Sequence, residues 1–246
     1  MTTDLSVCQD IFNRDPVRYL DMTEAVRRGV GTGLHASPSA ALVGIPAADD
    51  SRDFGSYLMS CAGMDAARLL CGLFPPGGDF LIAAHEEFYL PLLQERFGTD
   101  FFLEGASFQA AYLGSGPCSI PDSPLALRQL AADDLPQVSE HYKLEGEGYL
   151  RFLLERGRLF GGFLDGTMIG FAGFHTEGAM GLLEVFPPYR RRGFASVLEQ
   201  YLINRELALK HIPFGQVVTG NAPSLALQRS LGMTLSEGTL YWLARS

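Results

Sequence analysis

The residues best suited to chemistry lie between Val185 and Ala195, where three consecutive arginines precede Gly193. Arginine offers fork-shaped donors for phosphate oxygens, and glycine lets the backbone approach a ligand closely. A helical pattern starts at the glycine, and the free N–H groups and partial positive charge of a helix N-terminus favour phosphate. The stretch therefore predicts a pyrophosphate-binding turn, and the alternative is a solvated basic loop.

The elements that must position this turn are a strand before it and a helix after it. The apolar run 180–185 predicts the strand, and residues 193–210 predict a long helix with its apolar side chains on one face. Asp165-Gly166 joins two further apolar runs and is a strong signal for a tight hairpin. The remaining predictions for this half are strands at 125–130, 159–164, 168–174, 215–219 and 239–244, and helices at 133–136 onward, 147–156 and 223–231.

This order of elements resembles the GCN5-related N-acetyltransferase (GNAT) superfamily, and two motifs carry the resemblance. Arg190, Gly193 and Ala195 match its Arg/Gln-x-x-Gly-x-Gly/Ala pyrophosphate signature. Some thirty residues on, Asn221-Ala222-Pro223-Ser224 precedes Leu231-Gly232-Met233, which is similar to the second segment of that family. The resemblance covers residues 125–246.

The resemblance implies an α/β (α+β) fold with a mixed, mostly antiparallel central sheet flanked by helices. The sheet would splay open where the strand ending at Val185 leaves strand 215–219, and the pantetheine arm of acetyl-CoA would enter that wedge. The implied cofactor-binding residues are Val185, Phe186, Arg190, Arg191, Arg192, Gly193, Phe194, Ala195, Asn221 and Ser224. Asn221 could equally serve as a helix cap, and the two roles are compatible.

The activity implied by the resemblance is transfer of an acetyl group from acetyl-CoA to a primary amine of a small or amino-acid-like acceptor. Gln228 stands where many relatives carry a tyrosine that protonates the leaving thiolate, and Gln216 stands where some carry a glutamate base. Neither glutamine exchanges protons at neutral pH. Glu184 is our candidate base and His175 a weaker one; an acyl-CoA-binding pseudoenzyme or sensor is the alternative.

The composition favours a small ligand over an extended polyanion. The 246 residues carry a net charge of −9, and residues 1–123 account for all of it, with 7 Lys and Arg against 16 Asp and Glu. Nucleic-acid binding requires a broad basic face, which this distribution does not provide. The acidity instead favours a cationic acceptor.

A stretch rich in Gly, Pro and Ser, residues 114–124, predicts a division of the chain. We expect an N-terminal α/β domain at 1–118, a linker at 119–124 and the GNAT-like domain at 125–246. The first part has strands predicted at 40–45, 56–62 and 80–84 and lacks a phosphate turn. It could be a degenerate copy of the same architecture, as in two-module members of the glycine-N-acyltransferase-like branch.

Other features of the sequence predict the setting of the protein. It shows no secretory signal and no apolar run of membrane-spanning length, and its four cysteines are not paired at metal-ligand spacing. We therefore expect a cytoplasmic monomer or homodimer with no metal and no membrane partner. Glycine-rich residues 29–33 predict a flexible turn rather than a nucleotide-binding loop.

Overall fold

In a computed structural model, which describes residues 3–48, 53–101, 105–120 and 122–245, one twelve-stranded sheet carries helices on both faces. The first half of the chain supplies α1 (Gln9–Phe12), α2 (Leu20–Arg27), β1 (Thr32–Ser37), β2 (Ala40–Pro46), β3 (Phe54–Cys61), α3 (Met64–Cys71), β4 (Phe80–Ala84), α4 (Leu90–Phe97), β5 (Asp100–Phe101) and β6 (Ser107–Ala111). The three strands predicted before residue 85 are confirmed. The prediction of a flexible turn at 29–33 missed β1, whose pairing with β2 is set by long-range contacts that local composition does not reveal.

The second half follows the predicted order of elements closely. It supplies β7 (Ala126–Gln129), α5 (Leu135–His141), α6 (Glu147–Glu155), β8 (Leu159–Leu164), β9 (Thr167–Phe174), β10 (Met180–Val185), α7 (Phe194–Ala208), β11 (Phe214–Val218), α8 (Ala222–Ser230) and β12 (Thr234–Arg245). The Asp165-Gly166 hairpin is confirmed, with both residues at positive φ as such a turn requires. β12 starts five residues earlier than predicted.

The strand order across the sheet is β1-β2-β3-β4-β12-β6-β11-β10-β9-β8-β7, with β5 also on β12. The β3–β4 and β10–β11 pairs are parallel, and the other pairs between these strands are antiparallel. The predicted class, a mixed and mostly antiparallel sheet flanked by helices, is confirmed.

The two halves of the chain repeat one order of elements. β1, β2 and β3 form antiparallel neighbours, α3 follows, and β4 pairs parallel with β3 before α4. β8, β9 and β10 do the same, followed by α7, a parallel β11 and α8.

Each half completes its part of the sheet with a strand from the other half. β6, from the first half, pairs along its full length with β11. The end of β12, from the second half, pairs with β4, while its start pairs with β6. β6 and β12 therefore lie side by side at the centre of the sheet and join the two halves.

Alternation along the strands divides the apolar side chains between the two faces of the sheet. In the first half, Leu42 and Met59 pack under α3 and α4, while Val43 and Leu58 pack under α1 and α2. In the second half, one core lies under α5 and α6 and another under α7. No helix in the described part of the chain is both long and apolar enough to cross a membrane.

Candidate functional site

The sheet opens between β10 and β11. These parallel strands pair at one register, Met180 with Gly215, and then separate. β10 carries a bulge where its pairing with β9 shifts between Gly181 and Glu184, and Leu182 within it has a φ of 52°. A bulge bends its strand and increases its twist, which turns the end of β10 away from β11.

The opening widens into a cleft of about 1210 Å³. Its walls come from β10, β11, the first turns of α7 and α8, and the loop between α5 and α6. The first half of the chain contributes Ser56 and Leu81, and β12 contributes Trp242. The cleft therefore lies at the seam between the two halves.

At one end of the cleft the chain makes the predicted turn before α7. Gly193 has a φ of 81°, and a Cβ placed there would meet no atom within 4 Å. Arg191 also has a positive φ, 64°. The first N–H groups of an α-helix lack intrahelical partners, so the start of α7 presents donors and partial positive charge beside an open glycine. This geometry suits a phosphate group.

The three arginines of the turn have different surroundings. Arg190 folds back onto β10: its Nε donates to the Val185 carbonyl at 2.8 Å and its Nη2 to Glu184 Oε1 at 2.7 Å. Arg191 is exposed at the wall of the cleft. Arg192 lies over the Phe194 ring, 4.9 Å from its centroid, and does not line the cleft.

The other predicted site residues are mostly brought together. Val185, Phe194, Ala195, Asn221, Ser224 and Glu184 line the cleft with Arg190, Arg191 and Gly193. Phe186 does not; it is buried and stacks on His141, with ring centroids 3.7 Å apart. Asn221 caps α8 by accepting a hydrogen bond from the Ser224 N–H at 3.1 Å, so it has the capping role that sequence reasoning had left open.

Gln216 and Gln228 also line the cleft, and each is held by a different partner. The Trp242 Nε1 donates to Gln216 Oε1 at 2.6 Å, and Gln216 Nε2 donates to Gln109 Oε1 at 3.2 Å. Gln228 Nε2 donates to both carboxylate oxygens of Glu199 at 2.9 Å.

Glu199 was missed by sequence reasoning. It lies on the buried side of α7, where it is 6% exposed, and it lines the cleft. Burial raises its pKa to about 7, against the hydrogen bond from Gln228, which lowers it. One signal in the sequence could have found Glu199, because it is a charged residue directly after Leu198, within the apolar pattern of the helix. Its partner Gln228 lies 29 residues further along the chain, so no local pattern indicates the pair.

Acidic groups gather at the end of the cleft nearest the first half. Burial raises the pKa of Glu145 to about 7, and that of Glu177 likewise to about 7. Beside them, the Tyr149 hydroxyl lies 3.2 Å from His175 Nδ1. Burial and the nearby Arg158 cation lower the pKa of His175 to about 4, so its ring is neutral at pH 7.

Within residues 3–48, 53–101, 105–120 and 122–245, no group of three His, Cys, Asp or Glu side chains is placed to hold a metal ion. The arrangement instead combines an anion-binding turn, an opening between strands and several acids whose pKa values lie near neutrality. Such a cleft can bind a phosphate-bearing ligand and exchange protons with a second one.

Solved structures with the same fold cover nearly the whole chain. A Drosophila protein solved by crystallography aligns with a TM-score of 0.74 and 15% identity over 98% of this chain and 94% of its own. A putative GNAT acetyltransferase from Novosphingobium aromaticivorans aligns at 0.58 and 19% identity, over 94% and 97%. A GCN5-related N-acetyltransferase from Kribbella flavida aligns at 0.55 and 11% identity, over 94% of each.

At the sequence level, no curated protein matches the chain. Residues 125–233 match the family model of the acetyltransferase (GNAT) family. The matched segment contains the turn at Gly193, the opening between β10 and β11, and the cap of α8. Residues 125–233 therefore form a domain of the GNAT acetyltransferase family.

Proposed function

We propose that the protein is an N-acyltransferase that moves an acetyl group from acetyl-CoA to a primary amine of a small acceptor. The observation that carries the proposal is the cleft between β10 and β11, which has the Gly193 turn at one end and acidic groups at the other. The family match supports acyl transfer from an acyl-CoA in general. The acetyl group and the amine acceptor are our inference.

The cleft has groups suited to the pyrophosphate and to the pantetheine arm of acetyl-CoA. When bound, acetyl-CoA would supply an activated thioester. The N–H groups of residues 191–195 and the exposed Arg191 guanidinium would hold the pyrophosphate. Among the described residues β10 has no ladder partner on the β11 side after Met180, whereas the Phe186 N–H is bonded to the Ile169 carbonyl of β9. The backbone of Val185 therefore faces the opening and is placed to pair with a pantetheine amide.

The acceptor would enter from the acidic end of the cleft. Glu145 and Glu177, with the net charge of −9, favour a cationic amine. An ammonium group must lose a proton before it attacks a thioester. Glu184 remains our candidate base: Arg190 contacts its Oε1, and no described residue donates to its Oε2.

Isothermal titration with acetyl-CoA tests the cofactor site. The wild type should bind, and Gly193→Asp should weaken binding about 100-fold or more, because a side chain and a negative charge would meet the pyrophosphate. Gly166→Asp is the matched control: Gly166 has a φ of 79°, is equally open and does not line the cleft. Equal affinity of all three proteins would show that the turn is not the phosphate site.

The alternative function is an acyl-CoA sensor that binds without turnover. Gln216 favours it, because its amide is fixed between Trp242 and Gln109 and cannot exchange a proton. Release of free CoA with a panel of monoamines, diamines and amino acids separates the two functions. Amine-dependent release supports the transferase, and tight binding without release across the panel supports the sensor.

A further inference from the structure

Glu199 and Gln228 form an isolated polar pair in the cleft wall. Glu199 is on α7, six residues after Gly193, and Gln228 is on α8, seven residues after Asn221. They are 6% and 5% exposed, and both line the cleft. The burial of a carboxyl group in this position calls for an explanation, because a buried charge without a countercharge is strongly destabilising.

Within the described part of the chain, the pair has no countercharge. The amide of Gln228 is the hydrogen-bond partner of Glu199 among the described residues, and no ion pair involves Glu199 there. One neutral donor does not offset burial, so the pKa of the carboxyl is raised to about 7. Gln228 Oε1 is itself buried without a partner, which leaves an unused acceptor next to the cleft.

The charged and titratable groups on the surrounding elements contact other residues or solvent rather than Glu199. Glu184 on β10 pairs with Arg190, and Glu206, two turns along α7, pairs with Arg28. Tyr201 on α7 packs against Phe160, and Arg229 on α8 is exposed. Apart from the neutral Gln228 amide, the contents of the cleft are therefore what can change the pKa of Glu199.

Its place in the cleft distinguishes it from the other two acids with raised pKa. Glu145 and Glu177 lie in loops at the acceptor end. Glu199 and Gln228 lie on α7 and α8, the helices whose first turns form the proposed cofactor side. An acid on this side is placed to serve the leaving group rather than the attacking amine.

We propose that Glu199 is the proton donor for the thiol that leaves during acyl transfer, and that Gln228 is its positioning residue. The inference rests on the proposed transferase function. As the carbon–sulfur bond breaks, its electron pair moves to sulfur, and Glu199 gives its proton to form the S–H bond. Glu199 is left as a carboxylate, held by the Gln228 amide, and regains its proton from solvent.

The energetics fit this direction of transfer. A thiol has a pKa of about 8.5, so a thiolate takes a proton from an acid of pKa about 7 in a downhill step. The same acid regains its proton readily at neutral pH. The Gln228 side chain cannot itself give a proton to the thiolate, but Glu199, which Gln228 holds in place, can.

A titration by carbon-13 NMR of labelled glutamate carboxyls tests the placement without turnover. The Glu199 signal, assigned by its absence in Glu199→Gln, should titrate near pH 7. CoA should shift that titration by at least half a pH unit, and desulfo-CoA, which lacks the thiol, should shift it much less. Equal shifts from both ligands, or a Glu199 carboxylate ionised throughout pH 5–9, would overturn the proposal.

Kinetics test the role. Glu199→Gln keeps the shape of the side chain and should lower kcat about 100-fold while leaving acetyl-CoA affinity within two-fold. In the wild type, kcat should fall as rising pH removes the proton of Glu199, and this fall should be absent in Glu199→Gln. Gln228→Met removes the hydrogen-bond donor that favours the carboxylate, so in that variant the fall of kcat should occur at higher pH.

The possible failures are distinguishable. A wild type that binds acetyl-CoA but transfers to no amine contradicts the proposed function, and the NMR comparison of CoA with desulfo-CoA still decides whether Glu199 faces the thiol. A wild type that turns over, with Glu199→Gln at the same kcat and the same pH profile, contradicts only the role of Glu199.

Discussion

Arg28 joins the two halves of the molecule through a buried cluster of charges. It lies at the end of α2, and its guanidinium contacts Glu24 at 3.0 Å and Glu206 on α7 at 2.7 Å. It also donates to the carbonyls of Gly178 and Ile212. Its side chain is 5% exposed, so losing it would leave two buried carboxylates without this partner.

We predict that Arg28→Met lowers the free energy of unfolding by about 3–5 kcal/mol, the usual effect of removing one partner from a buried ion pair. Arg27→Met is the matched control. Arg27 binds the same Glu24 but is 47% exposed, so its loss should cost about 1 kcal/mol or less. Urea denaturation gives both values, and similar losses would contradict a special role for Arg28.

The effect of Arg28→Met should depend on pH. Burial opposes ionisation of Glu24, but hydrogen bonds from Arg27, the Ile212 N–H and Arg28 outweigh it and lower its pKa below the ordinary 4.5. A carboxyl with a lowered folded pKa contributes stability that is present above its unfolded pKa and is lost as pH falls through the folded value. The difference between wild type and variant should therefore shrink below about pH 4.5.

Single residues were predictable from sequence where their role is local. The role of Gly193 depends on its own positive φ, and the capping role of Asn221 depends on the N–H group three residues later. Both roles therefore have a signature in the adjacent sequence. Glu199 has no such signature, because its burial and its Gln228 partner depend on how α7 and α8 pack. Phe186 and Arg192 belong to the right segment, but the turn directs them away from the cleft.

At the scale of elements, the two halves differ in how their parallel strands pair. β3 and β4 pair at four consecutive registers, from Ser56–Leu81 to Met59–Ala84, whereas β10 and β11 pair at one. Glu86 reinforces the first pair: it accepts hydrogen bonds from the Ser60 hydroxyl at 2.8 Å and the Cys61 N–H at 3.0 Å. As far as the structure describes the first half, β3 and β4 thus stay paired at the position where β10 and β11 separate.

We predict that each chain binds one acetyl-CoA. The connection from β3 to α3 has no basic residue, and the strands beside it stay paired. Titration calorimetry should give a stoichiometry near one for the wild type and for Glu86→Ala, because the four strand pairs remain in that variant. Glu86→Ala should nevertheless lose about 1–3 kcal/mol of stability, since the Ser60 and Cys61 donors lose their acceptor.

A stoichiometry of two would contradict this prediction and show that the first half opens in solution. The variant Gly193→Asp provides the reference, because it should weaken binding in the β10–β11 cleft about 100-fold or more. A binding event of undiminished affinity in that variant would locate a second site outside the β10–β11 cleft.

Elements were predicted well where periodicity and turn residues mark them. The hairpin at Asp165-Gly166 and the strand–turn–helix around Gly193 agree with the structure. β1 and the first residues of β12 were missed, because each is fixed by its pairing with a distant strand.

At the scale of the whole molecule, the exchange of β6 and β12 makes each half depend on the other. The predicted boundary, residues 114–124 with its linker at 119–124, lies between β6 and β7, yet β11 and β4 each pair with a strand from the other side of it. Sequence reasoning could place the boundary from Gly, Pro and Ser content but could not foresee this exchange, since no local pattern specifies a strand partner.

We predict that residues 118–246 expressed alone will not unfold cooperatively and will not bind acetyl-CoA. Without β6, β11 would present an unpaired edge, and the contact of Gln216 with Gln109 would be lost. Circular dichroism on heating and calorimetry measure both properties. Independent folding of the fragment would show that β6 is dispensable.

A cut chain provides the control for that fragment. A protease site inserted between Gly114 and Ser115, both exposed, separates the halves after folding without removing either strand. The two pieces should co-elute in gel filtration and retain acetyl-CoA binding. Separation of the pieces under native conditions would contradict the reciprocal dependence.

β12 follows β4 in the sequence only after β6 to β11 have been made, and this order has a consequence for synthesis on the ribosome. β11 finds β6 already made when it emerges, but β4 must wait for residues 241–245, which are translated after β11 and α8. The first half therefore keeps an open strand edge while residues 85–240 are translated, a period in which nascent chains are prone to misassemble. Synthesis of β12 would supply the missing partner of both β4 and β6, so a chain terminated before β12 should be cleared as unfolded protein rather than persist in a partly folded form.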